Sequence, residues 1–262
     1  MVVRILFIGD IVGRAGRKIL SQNLDRLVDQ HAVDFIIVNG ENAAGGFGLT
    51  NDIVREFRKL GVNVITSGNH IWDKKDFVAS LDRYEDVLRP GNYPVGAPGR
   101  GLGIYQSNVG TKIAVINLEG RIFMNSLDCP FRAADEYLGQ LMDDVAVVFV
   151  DFHAEASSEK MALAHYLDGR VSVLIGTHTH VPTADEQILP GGTAYQTDAG
   201  MTGSRDSVIG VRKEIAIEKF ITQMPAKFEV AKKDPVLCGV LVDVDDESGK
   251  ATHIERVMES AN

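Results

Sequence analysis

Apolar positions along the chain fall into short continuous runs separated by segments with helical spacing. Val2–Ile8 is apolar except for Arg4, the mark of a strand covered on both faces. Leu20, Leu24, Leu27 and Val28 recur every three or four residues, which predicts a helix over Arg14–Gln30. Asp34–Val38 is a second strand. Ile53, Val54 and Phe57 share one face of a helix that Thr50 caps and that runs to Leu60, with Gly61 ending it. Val62–Thr66 is a third strand and Lys74–Leu81 a short helix. This alternation is that of an α/β fold.

Further along, prolines and glycines punctuate Arg89–Gly110 and spell a long loop. At its end Gly103–Ser107 and Lys112–Leu118 flank Gly110-Thr111, which predicts a hairpin and hence an antiparallel pair. Val145–Val150 is another buried run. Ser157 and Ser158 are candidate caps of a helix through Leu167. Strands follow at Val171–Ile175 and Thr193–Gln196, and Val236–Asp243 with Ala251–Val257 forms a closing hairpin. The expectation is one α/β domain over residues 1–262, with mixed sheets covered by helices.

Composition changes this picture little. At 262 residues the chain can bury a large core, and its 45% hydrophobic and 24% charged content is ordinary. The net charge of −9 opposes binding to long nucleic acid, which needs Lys and Arg to replace counterions. A small anion stays compatible, because a metal can supply local positive charge. Cys129 and Cys238 form no CxxC pair and read as reduced, packed thiols. The N-terminal apolar run is too short for a signal segment, and no stretch approaches membrane-spanning length. A cytoplasmic protein with no membrane association is expected.

The polar residues that close the apolar runs carry the chemistry. Asp10 follows the first run, Glu41 and Asn42 the second, and Asn69 and His70 the third; His153 follows Val145–Val150, and His178 and His180 follow Val171–Ile175. Asp10 alone would read as a helix cap, Glu41 and Asn42 as turn residues, and one strand-end histidine as structural. In open α/β sheets, however, ligands sit beyond the carboxyl ends of strands. His178-x-His180 places alternate residues on one side of the chain. Together these residues supply imidazole, carboxylate and amide oxygen without thiolate, a set suited to iron, manganese or zinc. They are too many for one tetrahedral ion, and two ions bridged by one carboxylate account for the number.

Gly9-Asp10, Gly40-Glu41-Asn42, Gly68-Asn69-His70, His153 and Gly176-Thr-His178-Thr-His180 resemble, in order, the motifs of calcineurin-type metallophosphoesterases. The resemblance is closest to the YmdB-like subgroup, through Gly9–Gly13, Asn39–Gly48, Thr66–Asp73 and Tyr195–Gly203. Three departures from the broad superfamily stand out. The first motif has no histidine two residues after Asp10, Glu41 replaces the usual bridging Asp, and an additional Thr follows Gly176. The resemblance implies a four-layer α-β-β-α sandwich of two mixed sheets. It implies one metal held by Asp10, Glu41, Asn42 and His180, and a second by Glu41, Asn69, His153 and His178, with Glu41 bridging. His70 would be the general acid, and a hydroxide between the metals the nucleophile. It further implies a phosphodiesterase using two ions, iron first and manganese next, on 2',3'- and 3',5'-cyclic nucleotides. The residues themselves leave open a phosphomonoesterase or nucleotidase. They also leave open a regulatory module that binds a nucleotide or RNA-processing partner around a largely structural metal site. Self-association as a homo-oligomer is likewise left open.

Weaker candidates complete the reading. The glycine-rich Ala43–Gly48 loop either faces a phosphate or simply needs positive φ. Arg14, Arg17, Arg121, Arg132 and Arg205 are candidate phosphate contacts or plain surface charges. Phe47, Trp72 and Phe131 are candidate base-stacking or packing residues.

Overall fold

The computed structural model describes residues 1–260. Two six-stranded sheets lie face to face. The first takes β1 (Val2–Ile8), β2 (Phe35–Asn39) and β3 (Val64–Thr66) from the start of the chain. The second takes β4 (Leu102–Gln106), β5 (Lys112–Glu119), β6 (Val147–His153), β7 (Val173–Thr177), β8 (Gln187–Ile188) and β9 (Ala194–Gln196). The chain then returns to the first sheet as β10 (Gly203–Ser204), β11 (Pro235–Asp245) and β12 (Ala251–Ser260).

In the first sheet β1, β2 and β3 run parallel, β11 lies antiparallel to β1, and β12 pairs with the far side of β11. In the second sheet the parallel strands β5, β6, β7 and β9 are flanked by antiparallel β4 and β8. Both sheets are therefore mixed, and their parallel strands all end toward the same site.

Alternation along each strand divides the core into three layers of contact. Val3, Ile5 and Phe7 of β1 meet Ile113 and Val115 of β5 and Val147 and Phe149 of β6 between the sheets. The Phe7 and Phe149 rings pack 5.2 Å apart there. Leu6 and Ile8 point the other way, toward α1 (Gly13–His31), α2 (Asn51–Lys59) and the short α3 (Lys75–Val78). Val148, Val150 and Phe152 point toward α4 (Pro130–Leu138) and α5 (Ser157–Leu167). A further helix, α6 (Lys213–Thr222), lies outside these layers and buries only Ala216. The architecture is the four-layer α-β-β-α sandwich. Each fully buried Ile or Phe contributes roughly 1.5–3 kcal/mol to it.

Local signals act much as the residues predict, with some shifts. Thr50 caps α2 by accepting from the Ile53 N–H at 3.4 Å, and Gly61 adopts φ 82°. Ser157 and Ser158 do not cap α5. They lie inside its first turn, and Ala156 takes the cap position. The helix expected over Lys74–Leu81 is only one turn, Lys75–Val78, followed by a 3-10 turn at Leu81–Arg83. The run Val145–Val150 extends through His153, which is itself the last residue of β6. The long loop is ordered from within: the buried Arg89 guanidinium donates to the carbonyls of Pro90, Ala97 and Pro98. Cys129 is half-buried and Cys238 buried, both as free thiols; burial pushes the Cys238 thiol up to about 11 and keeps it un-ionised. No helix among the described residues is long and apolar enough to cross a membrane.

At the carboxyl ends the apolar seam between the sheets gives way to a buried carboxylate. Asp151 of β6 accepts from Asn39 of β2 at 3.0 Å, from Thr66 of β3, and from Thr177 of β7 at 2.7 Å. This residue ties the two sheets together just below the site. Burial raises its pKa, against the three donors and His153, which lower it.

Candidate metal centre

Five strand ends deliver the site. Asp10 follows β1, Glu41 and Asn42 follow β2, Asn69 and His70 open a 3-10 turn after β3, His153 ends β6, and His178 and His180 follow β7. Each is close to a strand held on both sides, so its backbone is fixed although the residues are far apart in sequence.

The structure brings all of these side chains together. Oε1 of Glu41 lies 3.1 Å from Nε2 of His153, and that nitrogen is 3.0 Å from Nδ1 of His178 and 3.2 Å from Oδ1 of Asn69. Nε2 of His180 lies 3.7 Å from Oδ2 of Asp10 and 3.2 Å from Nδ2 of Asn42. The donor atoms fall into two groups, each compact enough for one ion: Glu41, His153 and His178, and Asp10, Glu41 and His180. Glu41 belongs to both. Asn42 turns its amide nitrogen toward Glu41 Oε1, at 2.9 Å. A half-turn of that amide would present its oxygen instead.

Each histidine has its outward nitrogen engaged, which fixes the nitrogen left for a ligand role. His153 Nδ1 is 2.9 Å from the Thr177 hydroxyl, which in turn donates to Asp151. His178 Nε2 is 3.2 Å from Glu155 Oε2. His180 Nδ1 donates to the Ile209 carbonyl at 2.9 Å. The inward nitrogens are thus Nε2 of His153, Nδ1 of His178 and Nε2 of His180.

Burial and charge separate the groups. Burial pushes the Asp10 carboxyl up, against the pull of His180 and His153. Burial alone would also raise Glu41, but the charge of His153 and its hydrogen bond outweigh it and bring the carboxyl down. Burial alone would lower His153, yet Glu41, Asp10 and Asp151 hold it up at about 9. His178, pushed down to about 3 by burial and by His153, stays neutral. Two divalent ions would fit this set. Asp10 Oδ1 is buried with no hydrogen-bond partner, the orphan a cation would satisfy. The nitrogen and oxygen donors also match borderline and hard metals rather than a thiolate site.

His70 sits beside the ligand groups but in neither of them. Its Nδ1 is 2.7 Å from Asp73 Oδ2, and its ring packs edge-to-face with Phe47, with the ring centres 4.8 Å apart. Its backbone N–H donates to Glu41 Oε2 at 3.3 Å. His70, His178 and His180 open onto a cavity of about 280 Å³ with Glu155 at its rim. Phe47, Ile209, Val211 and Phe228 form its apolar wall. Most of that wall comes from the segment around α6. This segment lies close to the glycine loop because a Cβ on Gly46 would stand 2.6 Å from Val230 Cγ2.

The weaker candidates sort clearly. Gly45, Gly46 and Gly48 all have positive φ. The Gly45 and Gly46 N–H groups donate to the Ala43 and Asn42 carbonyls, so the glycine loop is a tight turn. Arg17 and Arg205 pair with Glu56 and Asp234, and none of the five candidate arginines lines the cavity. Trp72 packs on Tyr93 and Phe131 on Tyr166; only Phe47 reaches the cavity. Asp73, Glu155, Asp151 and the Ile209 carbonyl are contacts that the strand-end pattern does not single out. Asp151 carries one usable signal, since it shares a strand face with His153 two residues on.

Comparison with known proteins shows what the chain is similar to. The YmdB-like protein family matches residues 6–257. A Bacillus subtilis (strain 168) protein named 2',3'-cyclic-nucleotide 2'-phosphodiesterase is 47% identical over 98% of this chain and 97% of its own length. A Mycoplasma pneumoniae protein named putative phosphatase/phosphodiesterase is 38% identical over 97% of this chain and 92% of its own. Among solved structures, a hypothetical protein from Thermus thermophilus has a TM-score of 0.93 and 42% identity, covering 99% of this chain and 100% of the other. A structure described as a novel phosphatase from Mycoplasma pneumoniae has a TM-score of 0.93 and 36% identity, covering 99% and 94%. Matched along nearly its whole length in both sequence and fold, the chain belongs to the YmdB-like protein family.

Proposed function

We propose that the chain is a dinuclear metal-dependent phosphodiesterase that hydrolyses 2',3'- and 3',5'-cyclic nucleotides. The observation that carries this reading is the position of Glu41, a buried carboxylate common to two adjoining donor groups. Asp10, Asn42 and His180 complete the site of one ion, and Asn69, His153 and His178 that of the other. Imidazole and oxygen donors without sulfur suit iron, manganese or zinc, and the family resemblance puts iron first and manganese next. Two ions there would supply charge neutralisation for the phosphoryl oxygens and would lower the pKa of water into the working range.

The remaining steps belong to the protein. Asp73 holds Nδ1 of His70, which leaves Nε2 to carry the proton for the leaving oxygen. Glu155, Thr177 and the Ile209 carbonyl keep the three ligand histidines in one tautomer each. The wall of Phe47, Ile209 and Phe228 offers an apolar face to a nucleobase and excludes water from one side of the cavity. The Bacillus relative's name supports the 2',3'-cyclic substrate. Site residues come from both sheets, which supports treating the chain as one phosphoesterase domain. Two free cysteines fit the proposed cytoplasmic location.

Turnover of the metal-loaded protein tests the reading. Adenosine 2',3'-cyclic monophosphate, its 3',5' isomer and bis-p-nitrophenyl phosphate are expected to be hydrolysed faster than p-nitrophenyl phosphate. Preference for the last, a monoester, would replace the diesterase with a phosphatase.

A further inference from the structure

The segment Tyr195–Gly203 resembles the family yet supplies none of the donors described above. Within it, Asp198 forms an ion pair with Lys160 of α5. The N–O distance is 2.7 Å, and both side chains are 0% exposed. A fully buried lysine is rare, because its ammonium gives up hydration. Buried ion pairs can often be replaced by apolar residues of equal volume without loss of stability, so packing gives no reason for this one.

What the pair holds is Thr179. Asp198 Oδ2 accepts from the Thr179 backbone N–H at 3.1 Å and from the Thr179 hydroxyl at 2.7 Å. Asp198 Oδ1 accepts from the Gly200 N–H at 2.8 Å. Space for the lysine depends on Gly176, where a Cβ would stand 2.8 Å from Lys160 Cδ and 1.8 Å from the Thr197 carbonyl oxygen. Thr179 separates His178 and His180, whose φ angles are 96° and 67°. Non-glycine residues hold such angles only where their surroundings impose them. An anchor between the two residues provides that constraint.

We infer that the Lys160–Asp198 pair is a positioning device for the metal centre. By gripping Thr179 through both backbone and hydroxyl, it fixes the separation of His178 and His180, one ligand of each ion. The inference rests on the ligand assignment proposed above. The pair is neutral overall, so it fastens the loop without adding net charge beside the donors.

The test uses the full chain, titrated with Mn(II) alone, in wild type, Thr179→Val and Thr179→Ser. Valine keeps the shape and removes the hydroxyl; serine returns it. Wild type is expected to bind two ions with an exchange-coupled electron paramagnetic resonance signal. Thr179→Val should unfold within about 3 °C of wild type, bind Mn(II) roughly 10–100-fold more weakly and change the coupling. Thr179→Ser should restore both. Asp198→Asn should weaken binding in the same direction; if it fails to fold, the half-buried Thr179 site decides. Wild-type affinity and coupling in Thr179→Val would overturn the positioning role and leave the proposed function standing. Absence of Mn(II) binding by wild type would overturn the ligand assignment and the positioning role together.

Discussion

Glu41 Oε1 lies 3.1 Å from His153 Nε2, with both side chains buried away from water. In the metal-free protein this contact is an ion pair, because Glu41 is held down and His153 is held up at about 9. A raised histidine stabilises fully below its ordinary value near 6.5, and that stabilisation is lost as pH rises through about 9. The lowered carboxyl stabilises above its ordinary value of 4.5 and loses this only as pH falls below it. Chelator-treated protein should therefore lose this contribution between about pH 6.5 and 9. Metal binding should strengthen over the same range, since an ion must displace the His153 proton. Calorimetric titration in buffers of different ionisation enthalpy reads that proton directly. Affinity independent of pH would contradict the pairing.

His70 is next to the proposed ligand Asn69 but belongs to neither donor group, so its removal should spare the metals. His70→Ala should keep the wild-type metal content and lower turnover roughly 10²–10⁴-fold. Asp73→Asn should cost less, since it leaves the His70 imidazole in place and keeps an acceptor near Nδ1. Unchanged turnover in His70→Ala would remove this residue from the reaction.

Glu155 fixes the tautomer of His178 from the rim of the cavity. Glu155→Ala should weaken metal binding roughly 10–100-fold, while Glu155→Gln, which keeps an acceptor, should recover most of it. Equal metal affinity in all three proteins would leave His178 without this support.

Gly68 has no room for a side chain. A Cβ there would stand 2.2 Å from His153 Nε2 and 2.3 Å from Glu41 Oε2. Both neighbours are buried and hydrogen-bonded, so neither can step aside cheaply. Gly68→Ala should retain the β-sheet circular dichroism and bind metal at least roughly 10-fold more weakly. Full metal content in this variant would show that the centre tolerates movement of both ligands.

Much of this centre is legible in the sequence because parallel strands advertise themselves as apolar runs and polar residues stand where those runs end. Asp10, Glu41, Asn69, His153 and His178 all follow that rule. Asp73, Glu155 and Lys160 do not. Asp73 and Glu155 lie a few residues past strand ends and read as ordinary turn charges, and Lys160 reads as one more charge on a surface helix. Only tertiary packing gives these residues partners. The helices α4 and α6 escape a reading of the sequence for a related reason. In α6, Ile217, Phe220 and Ile221 do recur at helical spacing, but the adjacent Ile215 and Ala216 spread apolar residues round the helix and blur the face, and all but Ala216 stay unburied. His153 ends its strand rather than following it, since the histidine and Asp151 continue the buried face that the apolar count alone would stop at Val150.

The shared carboxylate of Glu41 is most directly tested by counting metal ions per chain after anaerobic purification, for wild type and Glu41→Gln side by side. Two ions per wild-type chain, with both lost together in the variant, is the expected result. One ion per wild-type chain, or a variant that keeps one ion at wild-type affinity, would contradict a dinuclear centre bridged by this residue.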